Sequence, residues 1–251
     1  MINYSVEGNG EAILFIHGLS DNLHYWDLLA NNLKNDYKII RYDLRGHGES
    51  PLGNDDITID TYYDDLYDLL EELSINTVNI VSFSLGGLIA LNFTIKHPEK
   101  VSSLILMSSF AKCTANQKNI FNMLKDALNN GFEDYFDSIL PMVYCPKFIE
   151  DNHEEFENVK KYASSIVNVQ AFIKAIDVCL SADLEEELFK INAPTLILAG
   201  EYDRICPLTA QENIKNNISN SKLIVLKDVK HNLLVGKNVN KVSNMIRNFI
   251  I

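Results

Sequence analysis

Short runs of apolar, largely β-branched residues recur along the first 110 positions, each followed by a longer stretch whose apolar residues return every three or four positions. Ala12 to Ile16, Lys38 to Tyr42, Val78 to Ser82 and Ser103 to Met107 are continuous rather than alternating in polarity, the pattern of strands buried on both faces. Between them, Tyr25 to Leu33, Asp60 to Leu73 and Gly86 to Lys96 carry large apolar side chains at helical spacing. Such alternation predicts an α/β fold with a mostly parallel central sheet flanked by helices. From Ala111 to Leu188 no strand-like run occurs, and the segment reads as several amphipathic helices broken near Gly131, Pro141 and Pro146. Strand signals resume at Thr195 to Ala199 and Lys222 to Leu226, and Val239 to Ile250 reads as a terminal helix. The expected organisation is therefore a core of residues 1–110 and 189–251, interrupted by a helical insertion at 111–188.

Composition narrows the class. A chain of 251 residues with 47% hydrophobic side chains is globular, and its length fits one domain with a large insertion. It carries 22 Lys plus Arg against 34 Asp plus Glu, a formal net charge of −12, and no basic run longer than a pair. Nucleic acid and anionic membrane surfaces are poor partners for such a chain. Met1 to Glu7 has no basic region leading into an apolar stretch, and no apolar run approaches a membrane span, so a soluble, cytoplasmic protein is expected. Asn92-Phe93-Thr94 and Asn217-Ile218-Ser219 match the glycosylation pattern, which carries no weight in an unexported chain. Cys113, Cys145, Cys179 and Cys206 are widely separated, without a C-x-x-C pair, and read as reduced thiols rather than disulfides or metal ligands.

Candidate chemistry lies at the ends of the strands. Ser82-Phe83-Ser84-Leu85-Gly86 falls between a strand and a helix, the context of a G-x-S-x-G nucleophile elbow in which a sharp turn exposes the central Ser. Positions two before and two after must be small; Gly86 is, and Ser82 replaces the usual first Gly. A serine hydroxyl needs an imidazole to take its proton and a carboxylate to orient that imidazole. After later strands the chain supplies Asp203, with Glu201 as the competing acid, and then His231. Upstream, the first predicted strand runs into His17-Gly18-Leu19, where the Leu19 N–H, paired with that of Leu85, would form an oxyanion hole. His17 itself is poorly placed to act as the base.

On these motifs the chain resembles the α/β-hydrolase family over nearly its whole length outside the helical insertion. Asp43-Leu44-Arg45-Gly46-His47-Gly48-Glu49-Ser50 looks like that family's D-x-R-G-x-G-x-S segment, and Pro194 through Asp203, with Pro207 beyond, like its acid-bearing strand and loop. A departure is Lys230, where the family often has Gly before the His. The resemblance implies a serine hydrolase with a Ser84, Asp203, His231 triad, no metal or organic cofactor, and structural roles for Asp43, Arg45 and His47. It also implies that 111–188 is a cap over the active site, with Trp26, Phe83, Phe110 and Met142 as candidate pocket walls and His24 as a further one. His97 reads as a surface cap and His153 as part of the acidic block. The closest likeness is to small carboxylesterases and 3-oxoadipate enol-lactonases. Because 111–188 contains no Arg, a small neutral or apolar ester or lactone is the expected substrate. A hydrolase-derived ligand sensor with slow turnover, a carbon–carbon hydrolase or lyase, and an acyltransferase on the same triad are the alternatives.

Overall fold

In each central strand alternate residues enter opposite layers: Ile13 and Phe15 pack on one side of the sheet, Leu14 and Ile16 on the other. Continuous apolar strands are thus read out with a period of two once helices cover both faces. The computed structural model describes residues 2–54 and 56–250. Its seven strands are β1 (Tyr4–Glu7), β2 (Ala12–Ile16), β3 (Lys38–Tyr42), β4 (Val78–Phe83), β5 (Val101–Met107), β6 (Thr195–Gly200) and β7 (Ser221–Leu226), in the order β1-β3-β2-β4-β5-β6-β7. All neighbours are parallel except β1, which runs antiparallel to β3 with Tyr4 opposite Tyr42.

One layer contains α1 (Asp27–Leu33) and α10 (Asn238–Phe249), with Trp26 and Phe15 between them and the sheet. The other contains α2 (Ile59–Glu72), α3 (Leu85–Lys96) and α9 (Leu208–Asn217). α3 is buried along almost its entire length, so it shows a run of apolar residues rather than a stripe.

Between β5 and β6 the chain forms α4 (Ala115–Asn130), α5 (Phe132–Val143), α6 (Pro146–Asp151), α7 (His153–Ile166) and α8 (Val169–Ser181). Thr114 and Gln117 close a capping box at the start of α4, and Gly131, at φ 144°, separates α4 from α5. Pro146 starts α6 as its first residue. Pro141 does not break the helix as its sequence position suggests. It sits in the last turn of α5, where the missing N–H removes a single bond, and its own carbonyl accepts Lys230 Nζ at 2.6 Å. The block leaves and rejoins the core through one small ladder: Lys112 bridges Asp183, Cys113 N–H donates to Ala182 O (3.0 Å), and Leu184 N–H donates to Ala111 O (2.9 Å). Among the described residues no single helix is long and apolar enough to cross a membrane; α7 and α8 pass that test only as a pair, bent by 101°.

The segment after β3 ties the sheet's exit loops together. The Asp43 carboxylate accepts three bonds, from Leu23 N–H (2.7 Å), Asn3 Nδ2 (2.7 Å) and Glu49 N–H (2.9 Å). Gly48, at φ 51°, leaves no room for a Cβ against that carboxylate. Arg45 forms a two-pronged pair with Asp65 on α2, at 2.9 and 2.6 Å. His17 Nε2 accepts the Leu44 N–H (2.9 Å) while its Nδ1–H donates to Gly18 O (2.8 Å). Both nitrogens are therefore occupied with the ring neutral, and burial lowers its pKa to about 4. His47 donates Nδ1–H to Arg45 O (3.1 Å), and burial followed by repulsion from His17 lowers it to about 3.

Asp43→Ala should strip three donors of their acceptor and lower stability by about 3 kcal/mol, read as a shift of the urea midpoint at unchanged slope. An unchanged midpoint would contradict this role. His17 and His47 refuse protons that the unfolded chain accepts near pH 6.5. Each contributes stability that is complete above that pH and declines, by roughly 1.4 kcal/mol per pH unit, as pH falls toward the folded value. Imidazole nitrogen shifts measured by NMR should show both rings still neutral at about pH 5; a doubly protonated ring there would refute the assignment.

Candidate active site

Ser84 stands between β4 and α3 at φ 52°, ψ −116°, a backbone conformation that a non-glycine residue holds only under constraint. The constraint comes from close packing below the turn. A Cβ on Gly86 would strike the Ile16 carbonyl and lie 2.6 Å from His17 O, so only hydrogen fits where α3 crosses the end of β2. Ser84 N–H donates to Met107 O (3.0 Å), and Ser84 O accepts from Ser109 Oγ (2.9 Å) and Gly87 N–H (2.9 Å). Ser82 is small enough for the first motif position and is fully buried, its Oγ donating to Ile105 O at 3.2 Å.

The loops after β6 and β7 meet over this turn. Gly200 ends β6 against the Lys230 carbonyl, where no side chain would fit, which brings the Asp203 and His231 loops together. Asp203 is buried; its Oδ1 accepts Ile205 N–H (2.9 Å) and Cys206 N–H (2.8 Å), and its Oδ2 accepts His231 Nδ1–H (2.8 Å). That bond fixes the tautomer and leaves Nε2 as the acceptor for Ser84 Oγ–H, at 3.0 Å. Ser108 Oγ holds the His231 carbonyl at 2.8 Å. Glu201 points elsewhere: it is exposed and caps the β7 loop by accepting Asp228 N–H (3.0 Å). The Asp203 carboxylate, Cys206 thiol and His231 ring place donor atoms within 4.8 Å of one another. Burial, then the Asp203 charge, pushes the thiol well up, and Asp203 and His231 are already bonded to each other.

Above Ser84 and His231 lies a cavity of about 810 Å³, roofed by α4, α5, α7 and α8. Leu19 and Phe83 are in its wall, and Phe83 packs on His231 with ring centroids 4.8 Å apart. Leu85 is buried beneath it as the first residue of α3, where an N–H has no intrahelical acceptor. Three expected wall residues lie elsewhere. Trp26 is fully buried in the opposite layer against Phe15, because the turn entering α1 faces that side. Phe110 is sealed in the core against Phe121. Met142 packs on the core from α5, while Ile139, Leu140 and Val143 of the same helix face the cavity. His24 reaches the rim, 3.1 Å from Asp27. His97 lies away from the site, bonded to Tyr63 (2.7 Å) and Glu99 (2.9 Å), and His153 opens α7 on the surface.

The wall also contains polar groups that sequence reasoning passed over: Asp21, Tyr25, Tyr135, Tyr144 and Asn232. Asn232 directly follows His231, and Asp21 follows Leu19 by two positions, which is the signal that was present. Burial raises the Asp21 carboxyl to about 7, against the opposing pull of His231 and the Gly18 N–H. Among the described residues no Lys or Arg lines the cavity.

Comparison with known proteins agrees with this architecture. A family model described as the alpha/beta hydrolase fold matches residues 11–141, just over half of the chain. AB hydrolase superfamily protein YisY of Bacillus subtilis is 28% identical, the match covering 96% of this chain and 92% of that protein. 3-Oxoadipate enol-lactonase 1 of Acinetobacter baylyi is also 28% identical, over 89% of this chain and 82% of its own. Among solved structures, the enol-lactonase from Burkholderia xenovorans LB400 superposes with a TM-score of 0.91 at 19% identity, covering 99% of this chain and 96% of that one. With its sheet order, its Ser84 turn and a family match across half its length, this chain belongs to the alpha/beta hydrolase fold family.

Proposed function

We propose that the protein is a serine hydrolase that cleaves a small carboxylic ester or lactone through an acyl-enzyme. The observation that carries this reading is the unbroken hydrogen-bonded chain from Asp203 through His231 to the strained Ser84, at the floor of a large cavity. Ser84 Oγ attacks the carbonyl carbon as its proton passes to His231 Nε2, and the Leu19 and Leu85 N–H groups receive the charge on the carbonyl oxygen. His231 returns the proton to the departing alkoxide. Water, deprotonated by the same nitrogen, then attacks the acyl carbon, and the acid and free Ser84 are released. Asp203 holds Nδ1–H throughout, and its two backbone donors keep its charge in place while the imidazolium forms. The reaction needs no cofactor.

Residues 111–188 act in this reading as a lid that excludes water and shapes the substrate pocket. The Phe132, Phe136, Phe156 and Phe172 side chains in the wall suit an apolar acyl group. A lactonase among the relatives is consistent with a cyclic ester as well as a linear one.

p-Nitrophenyl butyrate should be hydrolysed, and Ser84→Ala should reduce turnover by on the order of 10⁴ to 10⁶. Equal rates in the two proteins would remove Ser84 from the mechanism. A fluorophosphonate should label Ser84 alone, located by mass spectrometry. Asp203→Asn should fold normally and lose on the order of 10⁴ in kcat, since the amide would favour the wrong tautomer of His231. A comparable loss in Glu201→Gln, with Asp203→Asn active, would reassign the acid.

A further inference from the structure

Two carboxyl groups near the site, the buried Asp43 and the half-buried Asp21, contrast sharply. Asp43 accepts three hydrogen bonds. Asp21, in the cavity wall, accepts only the Gly18 N–H, and among the described residues no cation pairs with it and no hydroxyl donates to it. The phenols around it are engaged elsewhere: Tyr135 with Ser20 Oγ (2.8 Å), Tyr25 with Asn232 Oδ1 (3.1 Å), and Tyr144 with Asn232 Nδ2 (2.9 Å). All three rings line the cavity; Tyr135 is bonded to the residue before Asp21, and Asp21 Oδ2 and the Phe83 ring on which Tyr25 stacks both stand against Gly18. Tyr25 stacks on Phe83 (4.8 Å), which in turn packs on His231, so this corner adjoins the candidate nucleophile.

An unpaired carboxyl among aromatic faces lacks one thing, a soft monovalent cation. A hard metal ion would demand several ligands, and among the described residues Asp21 belongs to no cluster of three or more carboxylate, imidazole or thiol groups. An alkylammonium group needs a counter-charge and ring faces, both of which are present. Glu155 on α7 adds a second negative side chain to the wall, and the net charge of −12 raises the local concentration of cations.

We propose that Asp21, with the rings of Tyr25, Tyr135 and Tyr144, forms a cation subsite beside Ser84 and His231 that takes the alkylammonium group of an amino-alcohol ester. Cation binding follows from the wall alone; the ester follows from the proposed hydrolase reaction and rests on it. The subsite extends the neutral substrate expected from the cap composition, because the counter-charge comes from the loop after β2 and not from the cap.

The test is calorimetric titration at about pH 8, where the carboxyl is ionised, with choline and its uncharged isostere 3,3-dimethylbutan-1-ol. The wild-type protein should bind choline at least about tenfold more tightly than the isostere, and Asp21→Asn should abolish that preference. Equal binding of the two, no detectable choline binding at millimolar concentration, or a preference that survives Asp21→Asn would overturn the subsite. The wild-type comparison alone decides if the variant fails to fold. Butyrylcholine and 3,3-dimethylbutyl butyrate then give the catalytic readout, a kcat/KM ratio favouring the cation in wild type. Choline preference without fluorophosphonate labelling of Ser84 sinks the hydrolase reading and spares the subsite; labelling with equal kcat/KM values does the reverse.

Discussion

The turn at Ser84 exists because residue 86 has no side chain. Where α3 passes over the end of β2, two carbonyl oxygens of β2 and its loop stand close enough to exclude even a methyl group. This contact lets the helix start directly above the sheet and forces Ser84 into a backbone conformation worth on the order of 1–3 kcal/mol of strain. The strain persists because both flanks are held: β4 lies between β2 and β5, and the Ser84 amide and carbonyl are both bonded. The same approach brings the loop carrying Leu19 beside the serine. The proposed nucleophile and oxyanion donors therefore follow from one packing constraint.

The electrostatics of the site are set by what each buried polar group is given as a partner. His17 and His231 both sit at the ends of strands and both are buried. His17 hydrogen-bonds only to backbone groups, and burial holds it neutral against the weaker pull of the Asp43 charge. His231 faces a carboxylate that is itself anchored by two amides. Of the two rings, His231 is the one hydrogen-bonded to a carboxylate that can balance an imidazolium. In the proposed mechanism the placement of Asp203 assigns the proton transfer to His231, with little difference in depth between the two rings.

Much of this was legible in the chain. β2 to β6 announce themselves because strands buried on both faces must be apolar throughout. β1 gave no signal, since four half-exposed residues acquire strand character only by pairing with β3. α9 was missed for a related reason: it buries little beyond Ala210, Gln211 and Ile214, too few for a clear stripe. At the site, Ser84 and Asp203 stand out in sequence because their turns require small residues at Gly86 and Gly200, and His231 because it follows the last strand. Trp26, Phe110 and Met142 did not reveal their locations, because an apolar side chain encodes burial but not which face of the sheet will bury it. Asp21 was invisible as one acid among 34; its isolation is a property of the assembled wall.

The ladder that joins residues 111–113 to 182–184 has an evolutionary corollary. To the sheet, the whole helical block is one long loop whose ends already touch, and loop-closure entropy rises only logarithmically with length. Helices can therefore be lengthened, lost or exchanged within the block without shifting the register of β5 against β6. In the proposed hydrolase, substrate preference can therefore change through the block while the loops carrying Ser84, Asp203 and His231 stay as they are.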